Sequence, residues 1–266
     1  MERGIERGRH ARVRQRGGRV GRAAPVAALL ALLVVLGIGQ IYSMNMTLML
    51  RPEVWKEMYA NSPLGLQGVH GDPSMMPRWL FVMAGGPLFG GLWAALLSNM
   101  LYLEDGVREA LRKSGGTFAL LGAVFMLLFG YQSIAAQPAQ VMDGVGTSPL
   151  HHISLFACAA TIILAGLVGL VQGFGKKTTT LISTVGVLVA FLAAATAGVV
   201  RDGIRDVTLK MKGFDVNDVT VYPNWSVLIV FLLLFVIMLG VIYWLLQVMR
   251  QASTGHAHAA RPVRTW

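Results

Sequence analysis

Histidine has the widest chemical range of the side chains in this sequence, and its placement is uneven. Six are present, of which His10, His256 and His258 lie in the polar tails, whereas His70, His151 and His152 lie near the ends of long apolar runs. A neutral imidazole at such a position can ligate haem iron, exchange a proton with a quinone, or hydrogen-bond water. The pair His151 and His152, together with His70, are therefore the candidate cofactor-binding residues of the chain.

The number of histidines limits which cofactor the chain can hold. One haem b, ligated by His151 or His152 with His70 or a methionine, is compatible with the sequence. Two haems stacked across a membrane are not, because b-type cytochromes use pairs of histidines on facing helices and here one apolar run carries both. The single cysteine, Cys158, belongs to no CxxCH motif, so the chain does not itself attach a c-type haem. The residues assign no metal site.

Acidic residues are missing from the central parts of the apolar runs. Proton- and ion-coupled transporters commonly use intramembrane carboxylates for coupling. Their absence argues against a proton pump or a secondary transporter. A small channel or solute transporter whose path is lined by the glycine-rich runs stays open as an alternative.

Six long apolar runs must position these residues. They begin near Ala24, Arg78, Thr117, Leu150, Thr178 and Asn224. A helix needs about 20 mostly apolar residues to cross a bilayer, and each run has about that length or more. The composition agrees, with 55% hydrophobic and 14% charged residues. The sequence predicts an all-α integral membrane protein built as a bundle of six transmembrane helices.

The distribution of Lys and Arg predicts the orientation of the bundle. Eight arginines precede the first span, and this basic tail predicts a cytoplasmic N-terminus. With six spans the C-terminus returns to the same side. The cytoplasmic segments then carry 16 of the 23 Lys and Arg residues. The predicted location is the inner membrane of a bacterium, as a multi-pass protein.

This topology divides the chain into three parts, which are a basic tail at 1–23, a six-span membrane domain at 24–250, and a tail at 251–266. The longest outer segments, 51–77 and 201–223, are expected to be ordered and to form a docking face for a partner. The arginines of the first tail have no interleaved aromatic residues, so nucleic acid is not an expected partner.

Small residues recur within three of the spans. The fifth has Gly186, Ala190, Ala194 and Gly198 at every fourth position, and glycines also recur in the second and fourth. Small residues allow the backbones of membrane helices to approach closely. We expect the stripe in the fifth span to face protein and not lipid. A groove for a flat cofactor or a partner helix is the other interpretation.

Three stretches of the sequence resemble a known group of proteins when they are taken together. They are Asn45-Met-Thr-Leu-Met-Leu-Arg-Pro-Glu53, Gly71-Asp-Pro-Ser-Met-Met-Pro-Arg-Trp-Leu80, and Val200-Arg-Asp-Gly-Ile-Arg-Asp206 with Val219-Thr-Val-Tyr-Pro-Asn-Trp-Ser226. The group consists of small bacterial polytopic membrane proteins associated with multihaem c-type cytochromes and respiratory electron transfer. In that group the Pro-Arg-aromatic-Leu stretch is typically followed by His, whereas this chain has Phe81.

The resemblance implies a respiratory role. The expected function is that of an integral subunit of an electron-transfer complex, non-catalytic in itself. It would sit among other membrane subunits in the lipid bilayer, anchor a periplasmic cytochrome c or iron–sulfur subunit, and contact quinone through the candidate histidines. A single-haem b-type cytochrome using His151 or His152 is the alternative, although Phe81 occupies the position where a facing histidine is expected.

Overall fold

A computed structural model describes residues 2–51, 53–54, 58, 60, 72–175, 178–215, 218, 220 and 222–259. In these residues the secondary structure is helical and contains no strand. Seven helices are described: α1 (Glu2–Leu48), α2 (Met75–Met100), α3 (Asp105–Ala135), α4 (Ala139–Thr147), α5 (Pro149–Phe174), α6 (Thr180–Met211) and α7 (Trp225–Ala259). All except α4 contain a segment that is long and apolar enough to span a membrane, as the sequence predicts.

The chain divides into two compact units at Met75. The first unit contains α1, which starts at Glu2 and includes both the basic tail and the first span in one helix. After α1, the carboxylate of Asp72 accepts hydrogen bonds from the backbone and side chain of Ser74 and lies 3.6 Å from the guanidinium of Arg51. An ion pair between Arg51 and Asp72 therefore connects two parts of the predicted outer segment 51–77.

The second unit is built around four long helices, α2, α3, α5 and α6. Glycine lets α3 contact a neighbour on each side. A Cβ added at Gly91 of α2 would overlap the backbone of Gly115 in α3, and one added at Gly166 of α5 would lie 2.8 Å from Ala123 of α3. Since van der Waals contact between carbons begins near 3.5 Å, these helices touch through their backbones.

Helix α6 completes the bundle by contacting both α5 and α2. A Cβ added at Gly186 would lie 2.6 Å from Val168 of α5 and 3.2 Å from Leu92 of α2. The rings of Phe89 in α2 and Phe191 in α6 meet edge to face, with centroids 5.6 Å apart. The centre of the bundle is closed by fully buried aliphatic side chains, including Leu88, Leu92 and Ile162.

The expected stripe of small residues on α6 is half correct. Gly186 and Ala190 are buried, but Ala194 and Gly198 are exposed and a Cβ added at Gly198 would meet nothing within 4 Å. A helix has about 3.6 residues per turn, so a repeat of four drifts by about 40° at each step. The face that is buried continues instead through Ala193, Val200, Gly203 and Ile204.

Helix α6 continues beyond the apolar run to Met211, so the first part of the predicted outer segment 201–223 is helical. In this extension Lys210 pairs with Asp206 one turn away at 3.0 Å and with Asp215 at 3.7 Å. Helix α7 differs from the bundle helices, because no side chain in its apolar segment Trp225–Gln251 is buried. Its whole surface is therefore available to lipid or to another protein.

Candidate functional site

The candidate pair of histidines lies at one end of the bundle, here called the His151 end, where α3 and α6 finish and α5 begins. Helix α5 starts with Ser148 as its N-cap and Pro149 in its first turn. This position suits proline, whose missing N–H would have no partner there. His151 and His152 therefore lie in the first turn of α5, as the sequence predicts.

His151 is a packing residue at a helix contact. A Cβ added at Gly203 of α6 would lie 2.7 Å from Cγ, 2.9 Å from Cδ2 and 3.0 Å from Nδ1 of the His151 ring. The imidazole is half-buried and lies directly on the backbone of α6. Only glycine leaves this space, so Gly203 and His151 form a matched pair.

His152 is exposed and faces outward from the bundle. Its Nδ1 lies 3.4 Å from the carbonyl oxygen of Gly146 in α4. A carbonyl can only accept, so this long contact is a hydrogen bond when the ring carries a proton on Nδ1. The neutral ring then keeps a lone pair on Nε2, which has no partner among the described residues and can accept a proton or a hydrogen bond.

An exposed aromatic ring lies beside His152. The rings of His152 and Phe156 stack with centroids 5.2 Å apart and an interplanar angle of 27°. Phe156 and the neighbouring Ile153 are 64% and 67% exposed, so this face of α5 is apolar and open on the outside of the bundle. A ring-shaped, membrane-soluble molecule could reach His152 from the hydrocarbon without entering the bundle.

Helix α4, which supplies the carbonyl of Gly146, lies between the third and fourth apolar runs of the sequence. Residues Ala139–Thr147 form this helix, which packs through Val141 and Val145. These valines are four residues apart and follow Pro138, a spacing that predicts a short amphipathic helix. The signal is weaker than that of the long apolar runs, because nine residues are too few to show a clear helical period.

His70 lies outside the residues that the structure describes. Within the part of the chain that is described, no three His, Cys, Asp or Glu side chains gather into a site that could hold a metal ion. Phe81, at the position where the resemblance implies a histidine, packs against α3, where a Cβ added at Gly130 would lie 3.2 Å from its ring. The Phe81 ring therefore fills the space beside α3.

The opposite end of the bundle, here called the Arg112 end, carries a polar cluster that joins all four helices. Arg112 of α3 is 6% exposed and donates to the carbonyl oxygens of Gln172 and, at 2.8 Å, of Gly175. Asn99 of α2 donates to the hydroxyl of Ser183 in α6 at 2.8 Å. Ser183 in turn donates to the side-chain oxygen of Gln172 at 3.2 Å.

This cluster is mainly structural. Arg112 satisfies carbonyls that the C-terminus of α5 leaves without helical partners, and its charge suits that end of the helix dipole. Asn99 thus hydrogen-bonds across helices. The burial of Arg112 does not follow from the sequence, because Arg112 lies in a charged stretch between two apolar runs.

Comparison with known proteins finds no matching family model, no similar curated protein and no similar solved structure. The resemblance to cytochrome-associated membrane proteins therefore stays a prediction. The fold and its six apolar helices define the class: this chain is a helical, multi-pass membrane protein.

Proposed function

We propose that this protein is an integral membrane subunit of a bacterial respiratory electron-transfer complex, and that quinol contacts it at His152. The observation that carries the proposal is the arrangement of that one side chain. Its Nδ1 lies 3.4 Å from the carbonyl oxygen of Gly146, its Nε2 has no partner among the residues that the structure describes, and the adjacent Phe156 offers an aromatic face.

This arrangement suits a proton acceptor for quinol. Oxidation of a quinol releases two protons and two electrons. His152 accepts one proton at Nε2, the ring nitrogen that does not contact the Gly146 carbonyl. The second proton passes to water at the membrane surface. The electrons pass to the haem or iron–sulfur cluster of a partner subunit, as the resemblance to cytochrome-associated membrane proteins implies.

The exposed surface of the protein supports a role as a subunit. Helix α7 has no buried side chain in its apolar segment, and it offers a complete helix surface to neighbouring membrane subunits. The closed centre of the bundle, filled by Leu88, Leu92 and Ile162, favours a scaffold over a channel through these four helices.

The test is purification of the tagged full chain from its native membrane in mild detergent, followed by spectroscopy and quinol turnover. We expect a partner that contains haem or an iron–sulfur cluster to copurify. We also expect His152→Ala to lower quinol oxidation by at least about tenfold, since a positioned acid or base contributes about 10²–10⁴-fold to a rate.

His152→Gln provides the matched control, because its amide keeps hydrogen-bonding capacity but does not take up a proton. It should be as slow as His152→Ala. Unchanged turnover in both variants, or a complex without any redox centre, would overturn the proposal. A Soret band in the chain purified without partners would instead support the single-haem cytochrome.

A further inference from the structure

The short helix α4 contacts the imidazole of His152 through the carbonyl oxygen of Gly146, which lies 3.4 Å from Nδ1. It lies between α3 and α5 at the His151 end, outside the four-helix bundle. Two of its side chains, Val141 and Val145, are buried at 2% and 1% exposure. A helix of nine residues is not stable alone, so its position depends on this packing.

The backbone of α4 rests directly on α6. A Cβ added at Gly144 would lie 2.6 Å from Cγ1 and 3.2 Å from Cγ2 of Val207. Carbon atoms repel strongly at 2.6 Å, so a side chain at position 144 would force α4 away from α6. By contrast, a Cβ added at Gly146 would meet nothing within 4 Å.

A connection of one residue joins α4 to the turn of α5 that holds His152. Ser148 is the single residue between the two helices, serving as the C-cap of α4 and the N-cap of α5. Its N–H donates to the carbonyl of Val145 at 3.3 Å, and its own carbonyl accepts from the N–H of His152 at 3.0 Å. Where α4 docks therefore determines where the Gly146 carbonyl stands relative to the imidazole.

We propose that α4 is a positioning element, in which the contact between Gly144 and Val207 holds the Gly146 carbonyl so that His152 keeps its proton on Nδ1. This leaves Nε2 as a fixed acceptor for an O–H group. Gly144 and Val207 are thus positioning residues that act through His152. Only the identity of the O–H donor, quinol, rests on the proposed function.

The test is ¹⁵N NMR of the full chain with ¹⁵N-labelled histidine in lipid nanodiscs, at a pH where the imidazole is neutral. The His152 signals are assigned by their loss in His152→Gln. We expect Nδ1 to be protonated in the unmodified protein. Gly144→Ala should release the ring, so that both nitrogens give averaged shifts, whereas Gly198→Ala, where an added Cβ meets nothing within 4 Å, should leave them unchanged.

Rescue separates positioning from general damage. The double variant Gly144→Ala/Val207→Ala removes the atoms that clash and should restore the protonated Nδ1. If Gly144→Ala does not fold, Val207→Leu is the second variant. It enlarges the side chain of α6 that contacts Gly144, and it should release the His152 ring in the same way. A ring protonated on Nε2 in the unmodified protein, or no restoration in a folded double variant, overturns the positioning role.

Quinol turnover of the complex gives the second readout. If quinol is the donor, the rate should fall in Gly144→Ala and recover in the double variant, in step with the NMR signals. NMR signals that follow this pattern while turnover stays constant would uphold the role of α4 and reject quinol as the donor.

Discussion

At the scale of single residues, Arg112 shows how a charge is stabilised at the end of a membrane bundle. Its guanidinium is almost fully buried, and its partners are the carbonyls of Gln172 and Gly175 at the C-terminus of α5. Removing the side chain leaves both carbonyls without this donor. Leaving such groups unpaired costs more than the net value of the hydrogen bonds themselves.

We therefore expect Arg112→Ala to destabilise the protein by about 1–3 kcal/mol. The measurement is the thermal midpoint of the purified protein in detergent. Arg108→Ala is the control on the same helix, since Arg108 is only half-buried and pairs with the exposed Asp105 at 3.2 Å. A surface pair of this kind is worth about 0–1 kcal/mol. Equal losses in the two variants would contradict a special role for Arg112.

Gly203 gives a second prediction at this scale. Because the His151 ring occupies the space where its Cβ would stand, Gly203→Ala must displace the imidazole or the helix. We expect a loss of about 1–3 kcal/mol in thermal unfolding, as in other overpacked contacts. Gly198→Ala, five residues earlier on α6, adds a methyl group in open space and should have little effect. The prediction fails if the two alanines behave alike.

At the scale of the helices, the glycine contacts determine which faces meet. Helix α3 approaches α2 at Gly115 and α5 at Gly116, two adjacent residues that point to different sides. Between membrane helices, packing at such close distances replaces the hydrophobic effect as the source of stability. Adding even small side chains there should separate the helices.

Helix α6 allows a sharp test of this packing. Ala190 is fully buried, whereas Ala194 is exposed on the same helix. Ala190→Leu should therefore destabilise the bundle by about 1–3 kcal/mol through overpacking. Ala194→Leu should fold and run as a single species in size-exclusion chromatography in detergent. If Ala194→Leu is the more damaging variant, that face must be covered by another protein in the membrane.

The comparison of these two alanines shows what the sequence can predict. Hydropathy alone locates all six spans, because a helix of about 20 apolar residues has the length and the surface that a bilayer requires. The repeat of small residues identifies α6 as a packing helix but misplaces the contact, since a four-residue repeat drifts about 40° per step around the helix. The true face depends on neighbours that only the fold brings together.

The candidate site, like the packing of α6, could be predicted from the sequence only in part. The types of His151 and His152 and their place at the start of a span follow from the sequence. Their different roles do not follow from the sequence. His151 packs on Gly203, which is distant in the sequence, and His152 contacts the backbone of Gly146, which has no distinctive sequence feature. The polar cluster of Arg112, Gln172 and Ser183 was equally hidden, since its members come from three different helices.

At the scale of the whole molecule, the sequence predicts that the two termini lie on the same side of the membrane, because the number of predicted spans is even. The two ends of the bundle carry different parts of the chain. The Arg112 end carries the loops after α2 and α5, and the His151 end carries α4 and the extension of α6. Sequence charge predicts that the Arg112 end is cytoplasmic, so His152 should stand at the outer surface.

Two exposed aspartates at opposite ends test this orientation. In a Cys158→Ala background, which removes the single cysteine of the chain, one cysteine is introduced at a time, as Asp143→Cys on α4 or Asp105→Cys at the start of α3. Both aspartates are exposed, so neither change should disturb packing. A maleimide that does not cross membranes should label position 143 in intact spheroplasts. It should label position 105 only after permeabilisation, because the eight-arginine tail is predicted to retain the N-terminus inside. The reverse pattern would place His152 on the cytoplasmic side, where a periplasmic partner could not receive electrons from quinol bound there.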